Sequence, residues 1–189
     1  MNNTKYKITL KNTLKHFHMV NKHRFLVFKL SIKAGIPLQG LVHDLSKYSP
    51  TEFFESVKYY QGTYSPIRNC RNEIGYSKAW LHHKGRNKHH YEYWYDYRNK
   101  PGCEAVLIPL KYTKEMICDQ LAAGMCYEGK NWNNSFQLSY WNKEREKARI
   151  DERIDKLLIR VYTDISKYGV KKVLKSKNLN KLYKEYVGD

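Results

Sequence analysis

Apolar side chains recur along most of this sequence at the spacing of an α-helix, and this periodicity restricts the folds open to the chain. Residues 9–35 give the clearest example, because the pattern there stops at Gly35 and Pro37, a helix-ending pair. The predicted apolar face of this first helix consists of Leu14, Phe17, Val20, Phe25, Phe28 and Ile32.

The same period, with proline and glycine signals at its limits, predicts the remaining helices. They span residues 38–48, 50–60, 76–83, 109–129, 143–168 and 170–186. Residues 63–75 and 131–141 lack a clear period and are predicted to be loops. Alternating apolar and polar runs typical of strands do not stand out. The sequence therefore predicts an all-α fold in the form of a helical bundle.

Length and charge restrict the class of protein further. A chain of 189 residues fits one compact domain over residues 1–189, and its 41% hydrophobic content with 17 tyrosines is typical of a folded globule. The formal net charge of +17 attracts anions, so nucleotides and nucleic acids are candidate partners. A composition rich in lysine, asparagine and tyrosine also arises from a biased genome, so the charge alone does not select a partner.

Cysteine usage and hydropathy bear on the cellular compartment. The cysteines form no Cys-x-x-Cys pair, which argues against a zinc knuckle or a disulfide framework. No apolar run approaches the roughly 20 residues that span a bilayer, and the N-terminus lacks a secretory apolar segment. We therefore expect a cytoplasmic protein with reduced thiols and no membrane partner.

The adjacent residues His43 and Asp44 offer an imidazole nitrogen and a carboxylate oxygen, two common metal ligands. His23 on the preceding helix and Asp119 on a later one would complete a set of two histidines and two aspartates that leaves positions open for water. Lys47 follows His43 by one helical turn. Its ammonium group can hold a phosphate, or it can interact with the helix dipole at the helix end.

Four further histidines lie between Asp44 and Asp119 in the sequence: His82, His83, His89 and His90. A single histidine on an apolar helical face is more often a hydrogen-bonded core residue than a ligand. Several histidines gathered around one predicted core, together with the His-Asp doublet, favour metal binding instead.

The order of His23, His43, Asp44 and Asp119 resembles the pattern of the HD-domain superfamily of metal-dependent phosphohydrolases. A closer resemblance, to an uncharacterised bacterial and phage family with an HD-like pattern, rests on three stretches of the chain. These are GLVHDLSKYSPTEF (40–53), AWLHHKGRNKHHYEYW (79–94) and EMICDQLAAGMCYEGKNW (115–132). The resemblance implies an HD-domain-like helical bundle, with a metal-site core at about residues 15–132 and C-terminal helices at about residues 143–186.

The superfamily resemblance also implies a cofactor and a reaction. One divalent cation, Mn, Mg, Fe, Ni or Zn, would be bound by His23, His43, Asp44 and Asp119. A second would be bound by ligands drawn from the four further histidines and bridged by the aspartate of the doublet. Metal-activated water would then hydrolyse a phosphate ester. The His-His-x(5)-His-His layout matches the cyclic-dinucleotide phosphodiesterase branch only loosely and lacks its glycine-rich continuation, so that substrate is not carried over.

Two ligand assignments have competitors in the sequence. His16 and His18 lie on the same predicted helix as His23, and the spacing of His18 also suits the superfamily, although His23 matches the closer family. Glu115 lies one turn before Asp119 and could instead orient a ligand from behind.

The roles of the remaining polar residues follow from their chemistry. We expect His83 and His90 to supply a proton to the leaving group, because imidazole is the side chain type whose ordinary pKa lies near neutrality. We expect Lys47 to act beside them as a catalytic cation. The candidate substrate-binding residues, which would neutralise phosphate charge, are Lys47, Lys84, Arg86 and Lys88.

The resulting expectation is a metal-dependent phosphohydrolase or phosphodiesterase. Its substrate would be a nucleotide, a cyclic or linear dinucleotide, or another small phosphate ester. Two alternatives remain: a basic nucleic-acid-binding protein with a structural metal, and an HD-fold di-iron oxygenase. The sequence fixes neither the substrate nor the oligomeric state.

Overall fold

The computed structural model of the chain describes residues 6–62, 64–97 and 102–188. The helices are α1 (Leu10–Ala34), α2 (Pro37–Val42), α3 (Pro50–Tyr59), α4 (Pro66–Ile74), α5 (Lys78–Lys84), α6 (Leu110–Glu128), α7 (Phe136–Glu144), α8 (Glu152–Tyr168), α9 (Val170–Val173) and α10 (Ser176–Tyr186). Short 3-10 turns occupy Leu45–Tyr48, Tyr91–Tyr93 and Gly129–Asn131. The predicted all-α fold is confirmed. Strands β1 (Tyr95–Tyr97) and β2 (Cys103–Ala105), which pair antiparallel, form a small sheet that the sequence pattern did not indicate.

The apolar core lies between α1, α6, α8 and the C-terminal helices. Its fully buried side chains include Val27, Ile117, Leu121, Ile154, Leu158, Val161, Ile165 and Leu174. The helical period of this part of the sequence is confirmed in α8, where Ile154, Leu157, Leu158, Val161 and Ile165 are all buried. Burial of such side chains contributes about 1.5–3 kcal/mol each before the entropy of ordering is subtracted. This core holds α6 against α1, and these two helices carry His23, Glu115 and Asp119 of the candidate site.

The predicted apolar face of α1 is wrong except at Val20. The side chains that α1 buries are His16, Val20, His23, Val27, Leu30, Ser31 and Ala34. Leu14, Phe17, Phe25 and Ile32 are instead about half or more exposed. Two stripes compete on this helix. The buried one contains His16, which packs against Phe53 of α3, and His23, whose Nε2 lies 3.0 Å from Oδ1 of Asp119 on α6.

The segment predicted as a loop over residues 63–75 contains α4, so that prediction is wrong within the described residues; Thr63 lies outside them. Pro66 stands at the first helical position and Gly75 ends the helix with a φ of 84°, two signals that a short helix needs. Asn69 is buried, and its amide donates to the carbonyl of Tyr59 at 3.0 Å.

The segments that flank α8 also differ from the prediction. Residues 131–141, predicted as a loop, contain most of α7, whose Trp141 is buried and donates to Asp155 at 2.9 Å. The long helix predicted from residue 143 starts only at Glu152, because Asp151 caps it by accepting from the backbone N–H of Arg153. The predicted C-terminal helix is divided into α9 and α10.

The structure also bears on the cysteines, on helix α5 and on membrane-spanning segments. The cysteines are free, as the sequence indicated. Helix α5 starts at Lys78 rather than at the predicted residue 76, and it buries Ala79 and His83, whereas Tyr76 precedes the helix and is exposed. Within the part of the chain that the structure describes, no helix combines the length and the hydropathy needed to cross a bilayer.

Candidate metal centre

The His-Asp doublet lies at a break in the helical chain, which corrects the prediction that one helix runs through it. Helix α2 ends at Val42, His43 leaves the helical conformation with a ψ of 131°, and a 3-10 turn starts at Leu45. Asp44 has a φ of 54°, in the left-handed region that residues other than glycine seldom occupy. Such strain persists only where surrounding contacts impose it, and it is frequent at functional sites.

Arg24 of α1 supplies contacts that hold this break. Its Nε donates to the carbonyl of His43 at 2.8 Å, and one terminal nitrogen donates to the carbonyl of Leu41 at 2.9 Å. The other terminal nitrogen bonds the hydroxyl of Tyr48 at 3.2 Å. One guanidinium group therefore satisfies carbonyls at the end of α2 and fixes the direction in which the doublet leaves it.

The first cluster consists of His23, His43, Asp44 and Asp119, the four ligands predicted for one cation. Nε2 of His23 lies 3.0 Å from Oδ1 of Asp119 and 3.6 Å from Oδ2 of Asp44. Nε2 of His43 lies 3.2 Å from Oδ2 of Asp44 and 3.5 Å from Oδ1 of Asp119. Each residue therefore directs one ligand atom into a common space, with all four atoms within 4.8 Å of one another.

The second cluster consists of Asp44, His83, His89 and His90. Oδ1 of Asp44 lies 3.3 Å from Nε2 of His83 and 3.5 Å from Nε2 of His89. Nε2 of His83 and Nε2 of His90 are 2.9 Å apart. Three imidazoles and one carboxylate thus converge, and Asp44 is common to both clusters, with Oδ2 facing the first and Oδ1 facing the second.

The donor atoms of the second cluster fit a bound cation. Oδ1 of Asp44 and Nε2 of His89 are buried and lack a hydrogen-bond partner among the described residues, an arrangement that is costly unless something else satisfies them. Burial lowers the pKa of His89 and, together with the charges of His89 and His83, holds that of His90 well below its usual value. Neutral imidazoles are the form that binds metals.

Glu115 holds one histidine of each cluster from behind. Its Oε1 accepts from Nδ1 of His43 at 2.9 Å and from Nδ1 of His89 at 3.1 Å, while Gln39 donates to Oε2 at 2.8 Å. Burial alone would raise the pKa of Glu115, but its hydrogen bonds with the two histidines lower it to about 2. The ionised carboxylate fixes Nδ1 as the donor of both rings and leaves Nε2 for a ligand. This is the orienting role that the sequence left open for Glu115.

Glu52 plays the corresponding role for His83, and sequence reasoning missed it. Its Oε2 accepts from Nδ1 of His83 at 2.7 Å, and its Oε1 accepts from Nδ1 of His82 at 2.6 Å. Ser49 caps α3 by accepting from the backbone N–H of Glu52, which places Glu52 in the first turn of the helix predicted from residue 50. The only signal in the sequence was a glutamate in the first turn of a predicted helix, and its contacts with His82 and His83 of α5 depend on the tertiary structure.

Lys47 is the predicted substrate-binding cation that the structure brings to the clusters. Its ammonium group forms an ion pair with Oδ2 of Asp44, and its side chain is 28% exposed. Burial would raise the pKa of Asp44, but the charges of His43, Lys47 and His83 hold it well below its usual range. Burial and the charge of Lys47 disfavour protonated His23, yet hydrogen bonds with Asp119 and Asp44 raise its pKa to about 9. The first cluster thus attracts positive charge strongly.

Several other predicted site residues make their contacts outside the two clusters. His82 bonds Glu52 as described, and it belongs to neither cluster. Arg86 donates to the carbonyl of His82 at 3.3 Å, and the ammonium of Lys88 lies 5.7 Å from the ring centres of Tyr93 and Tyr112. Among the described residues, neither cation forms an ion pair with a cluster carboxylate, and the phosphate-binding role of Lys84, whose charge acts on Glu92, stays a prediction.

The geometry decides which histidine of α1 belongs to the first cluster. His23 directs Nε2 into the first cluster, whereas His16 packs against Phe53 and Tyr60 with ring centres 5.4 and 5.7 Å away. His18 is exposed. His83 and His90, predicted both as ligands and as proton donors, direct Nε2 towards Asp44 and towards each other, a placement that favours the ligand role.

Fold and site together define a helical protein in which one aspartate joins two histidine-rich clusters. Compared with known families, the chain matches the model of a family of unknown function (DUF5662) over residues 12–164. This match covers most of the chain and every residue of both clusters, so the protein belongs to that family. No curated protein and no solved structure matches it.

Proposed function

We propose that the protein is a metal-dependent phosphohydrolase of HD type, whose reaction centre consists of the two clusters joined by Asp44. The observation that carries this proposal is the division of the Asp44 carboxylate, with Oδ2 among His23, His43 and Asp119 and Oδ1 among His83, His89 and His90. A carboxylate shared in this way is typical of centres with two cations, which suit displacement at phosphorus.

The ligand types restrict the cofactor. The first cluster offers two imidazoles and two carboxylates, and the second offers three imidazoles and one carboxylate. Mixed nitrogen and oxygen ligands of this kind suit Mn, Fe, Ni or Zn better than Mg, because Mg prefers oxygen ligands alone. When bound, such cations lower the pKa of a coordinated water and neutralise phosphate charge.

The side chains around the two clusters would orient the imidazole ligands and supply positive charge to the substrate. Glu115 and Glu52 keep Nδ1 of His43, His89 and His83 protonated, so that each Nε2 stays directed at the reaction centre. Lys47, partly exposed beside Asp44, can turn its ammonium to a non-bridging phosphate oxygen. We expect a nucleotide, a cyclic or linear dinucleotide or another small phosphate ester as substrate, in keeping with the positive charge of the chain.

The test begins with the purified full chain, stripped with a chelator and loaded separately with Mn²⁺, Fe²⁺, Ni²⁺ or Zn²⁺. Phosphate release would be measured on nucleotides, cyclic and linear dinucleotides and simple phosphate monoesters. We expect hydrolysis that depends on the added cation and falls by at least about 100-fold in Asp119→Asn. Metal binding without hydrolysis of any member of the panel would overturn the phosphohydrolase proposal.

A second candidate, an iron-dependent oxygenase of HD fold, is favoured by one observation. The second cluster has three imidazoles and one carboxylate, a set that also suits iron. Oxygen consumption by the Fe²⁺-loaded protein, without phosphate release, would replace the first proposal with this one. Steeply salt-dependent binding of DNA or RNA without either activity would support the nucleic-acid alternative.

A further inference from the structure

One surface of the molecule, separate from the metal ligands, presents apolar side chains to solvent. It is formed by the outer faces of α1 and α2 and by the start of the following turn. The apolar side chains of this surface are Leu10, Leu14, Phe17, Phe25, Ile32, Leu38, Leu41, Val42 and Leu45, which are between 48% and 78% exposed. Monomeric proteins seldom expose so many large apolar side chains together, and such patches usually mark an interaction site.

The two helices form one continuous face. Gly40 of α2 approaches α1 so closely that an added Cβ would lie 2.4 Å from Cβ of Ser31 and 3.1 Å from Cα of Phe28. Arg24 of α1 bonds the carbonyl of Leu41 at the end of α2. Because α2 lies directly against α1, its outward leucines extend the apolar row of α1 sideways.

A row of lysines runs along α1 beside the apolar row. It consists of Lys11, Lys15, Lys22, Lys29 and Lys33, all of them exposed. Spacings of four and seven residues place these lysines on one helical face. The ammonium of Lys29 lies 4.7 Å from the ring centre of Phe25, so the two rows touch. Residues 1–43 contain no aspartate or glutamate, and the first acidic residue, Asp44, is buried.

This combination of charge and hydropathy selects among the classes of occupant. A two-fold dimer through this face would bring two lysine rows together, which like-charge repulsion disfavours. A nucleic acid would match the lysines but would leave the leucines and phenylalanines without apolar partners. A bilayer surface with anionic headgroups matches both rows, because apolar side chains enter the acyl boundary while lysines reach phosphates.

We propose that the outer face of α1 and α2, which we call the apolar-lysine face, docks the protein on an anionic lipid surface. The sequence-based expectation of no membrane partner rested largely on the lack of a spanning segment, which surface docking does not need. Val42 at the edge of this face directly precedes His43, so the docked protein would hold its candidate metal centre close to the membrane.

The test measures partitioning of the full chain onto vesicles of phosphatidylglycerol and onto vesicles of phosphatidylcholine by co-sedimentation. We expect binding to the first and little binding to the second. The triple variant Lys15→Gln, Lys22→Gln, Lys33→Gln should bind phosphatidylglycerol roughly 100-fold more weakly, at about fivefold per lysine. The matched control Lys167→Gln, Lys171→Gln, Lys177→Gln removes the same charge from exposed positions elsewhere and should lose less than about fivefold.

The contribution of the exposed apolar side chains is tested with a separate pair of variants. Leu14→Ser with Phe25→Ser should reduce binding at least about tenfold, whereas Tyr97→Ser with Tyr168→Ser, at other exposed aromatic positions, should leave it nearly unchanged. All four substitutions are at exposed side chains, and circular dichroism would check that the helices are retained.

Three results would overturn the proposal. The first is an equal loss in the two lysine variants, which would indicate non-specific attraction by the whole charge. The second is binding that the serine pair on α1 does not weaken. The third is a dimer, or a nucleic-acid complex, that these same substitutions disrupt and that excludes vesicles. None of these measurements depends on phosphate release, so failure here is distinct from failure of the proposed hydrolase activity.

Discussion

Glu115 accepts a hydrogen bond from Nδ1 of His43 over 2.9 Å, which leaves Nε2 of the same ring directed at Asp44 and Asp119. The same carboxylate oxygen accepts from Nδ1 of His89, whose Nε2 faces the other oxygen of Asp44. One buried carboxylate therefore orients a ligand of each cluster. A metal site depends on such supporting contacts nearly as much as on its ligands.

Glu115→Gln should weaken both clusters together. An amide oxygen accepts more weakly than a carboxylate and its NH₂ group can face a ring nitrogen, so the two imidazoles lose their fixed tautomer. We expect metal affinity to fall by about 10- to 100-fold at both clusters. Isothermal titration with Zn²⁺ or Mn²⁺ would measure this, with Glu128→Gln at the far end of α6 as the control. An unchanged affinity would contradict the orienting role.

Glu52→Gln should act on the second cluster alone. Glu52 bonds His83 and His82, and the ligands of the first cluster are held by other groups. The expected result is a loss of about 10- to 100-fold in affinity at one cluster, with the other nearly unchanged. Titration with Co²⁺, followed by its visible absorption, can resolve the two events. Equal weakening of both clusters would show that Glu52 supports the fold rather than one set of ligands.

Asp44→Asn should reduce the metal content of the protein more than any single histidine substitution. Asp44 contributes an oxygen to both clusters, and its amide analogue lacks the negative charge that offsets a cation. Elemental analysis after reconstitution and dialysis would report moles of metal per chain. Asp164→Asn, which removes a carboxylate paired with Arg160 on α8, should retain the content of the unaltered protein. Full retention of metal in Asp44→Asn would rule out the shared role.

Gly40→Ala should destabilise the junction that carries the doublet. The added methyl group would lie 2.4 Å from Cβ of Ser31, so α2 must move away from α1. Overpacking of this kind costs about 1–3 kcal/mol, which urea unfolding would show as a lower midpoint at constant slope. Gly85→Ala, at the end of α5 with a φ of −75°, should cost less, because its added Cβ would lie 3.3 Å from the carbonyl oxygen of Leu81 rather than 2.4 Å from another side chain. A neutral effect of Gly40→Ala would mean that the junction adapts without cost.

Local signals in the sequence were sufficient for much of the fold. Helices α1 and α6 begin and end close to the predicted residues, since Gly35 and Pro109 act through the backbone of their own segment. The choice of His23, His43, Asp44 and Asp119 also followed from residue types and from the family resemblance, and the structure brings all four together. These features depend on short stretches of chain or on the chemistry of single side chains.

Only the tertiary structure decided which face of α1 is buried. The apolar period alone favoured the stripe with Phe17 and Phe25, because isolated histidines count as polar in such a pattern. The contact of its Nε2 with the Asp119 carboxylate of α6 makes His23 acceptable inside, so the other stripe is left on the surface. A periodic pattern cannot register this, since the partner atoms lie on a distant segment.

The break at Asp44 and the supporting role of Glu52 were also decided by the tertiary structure. The sequence by itself determined that the chain is helical and that it carries metal-ligating side chains, because periodicity, caps and residue chemistry are local properties. The left-handed conformation of Asp44, the hydrogen bonds from Arg24 that hold it, and the union of five histidines around one carboxylate were decided by packing. They depend on contacts between residues far apart in sequence, which become defined only when α1, α3, α5 and α6 pack together.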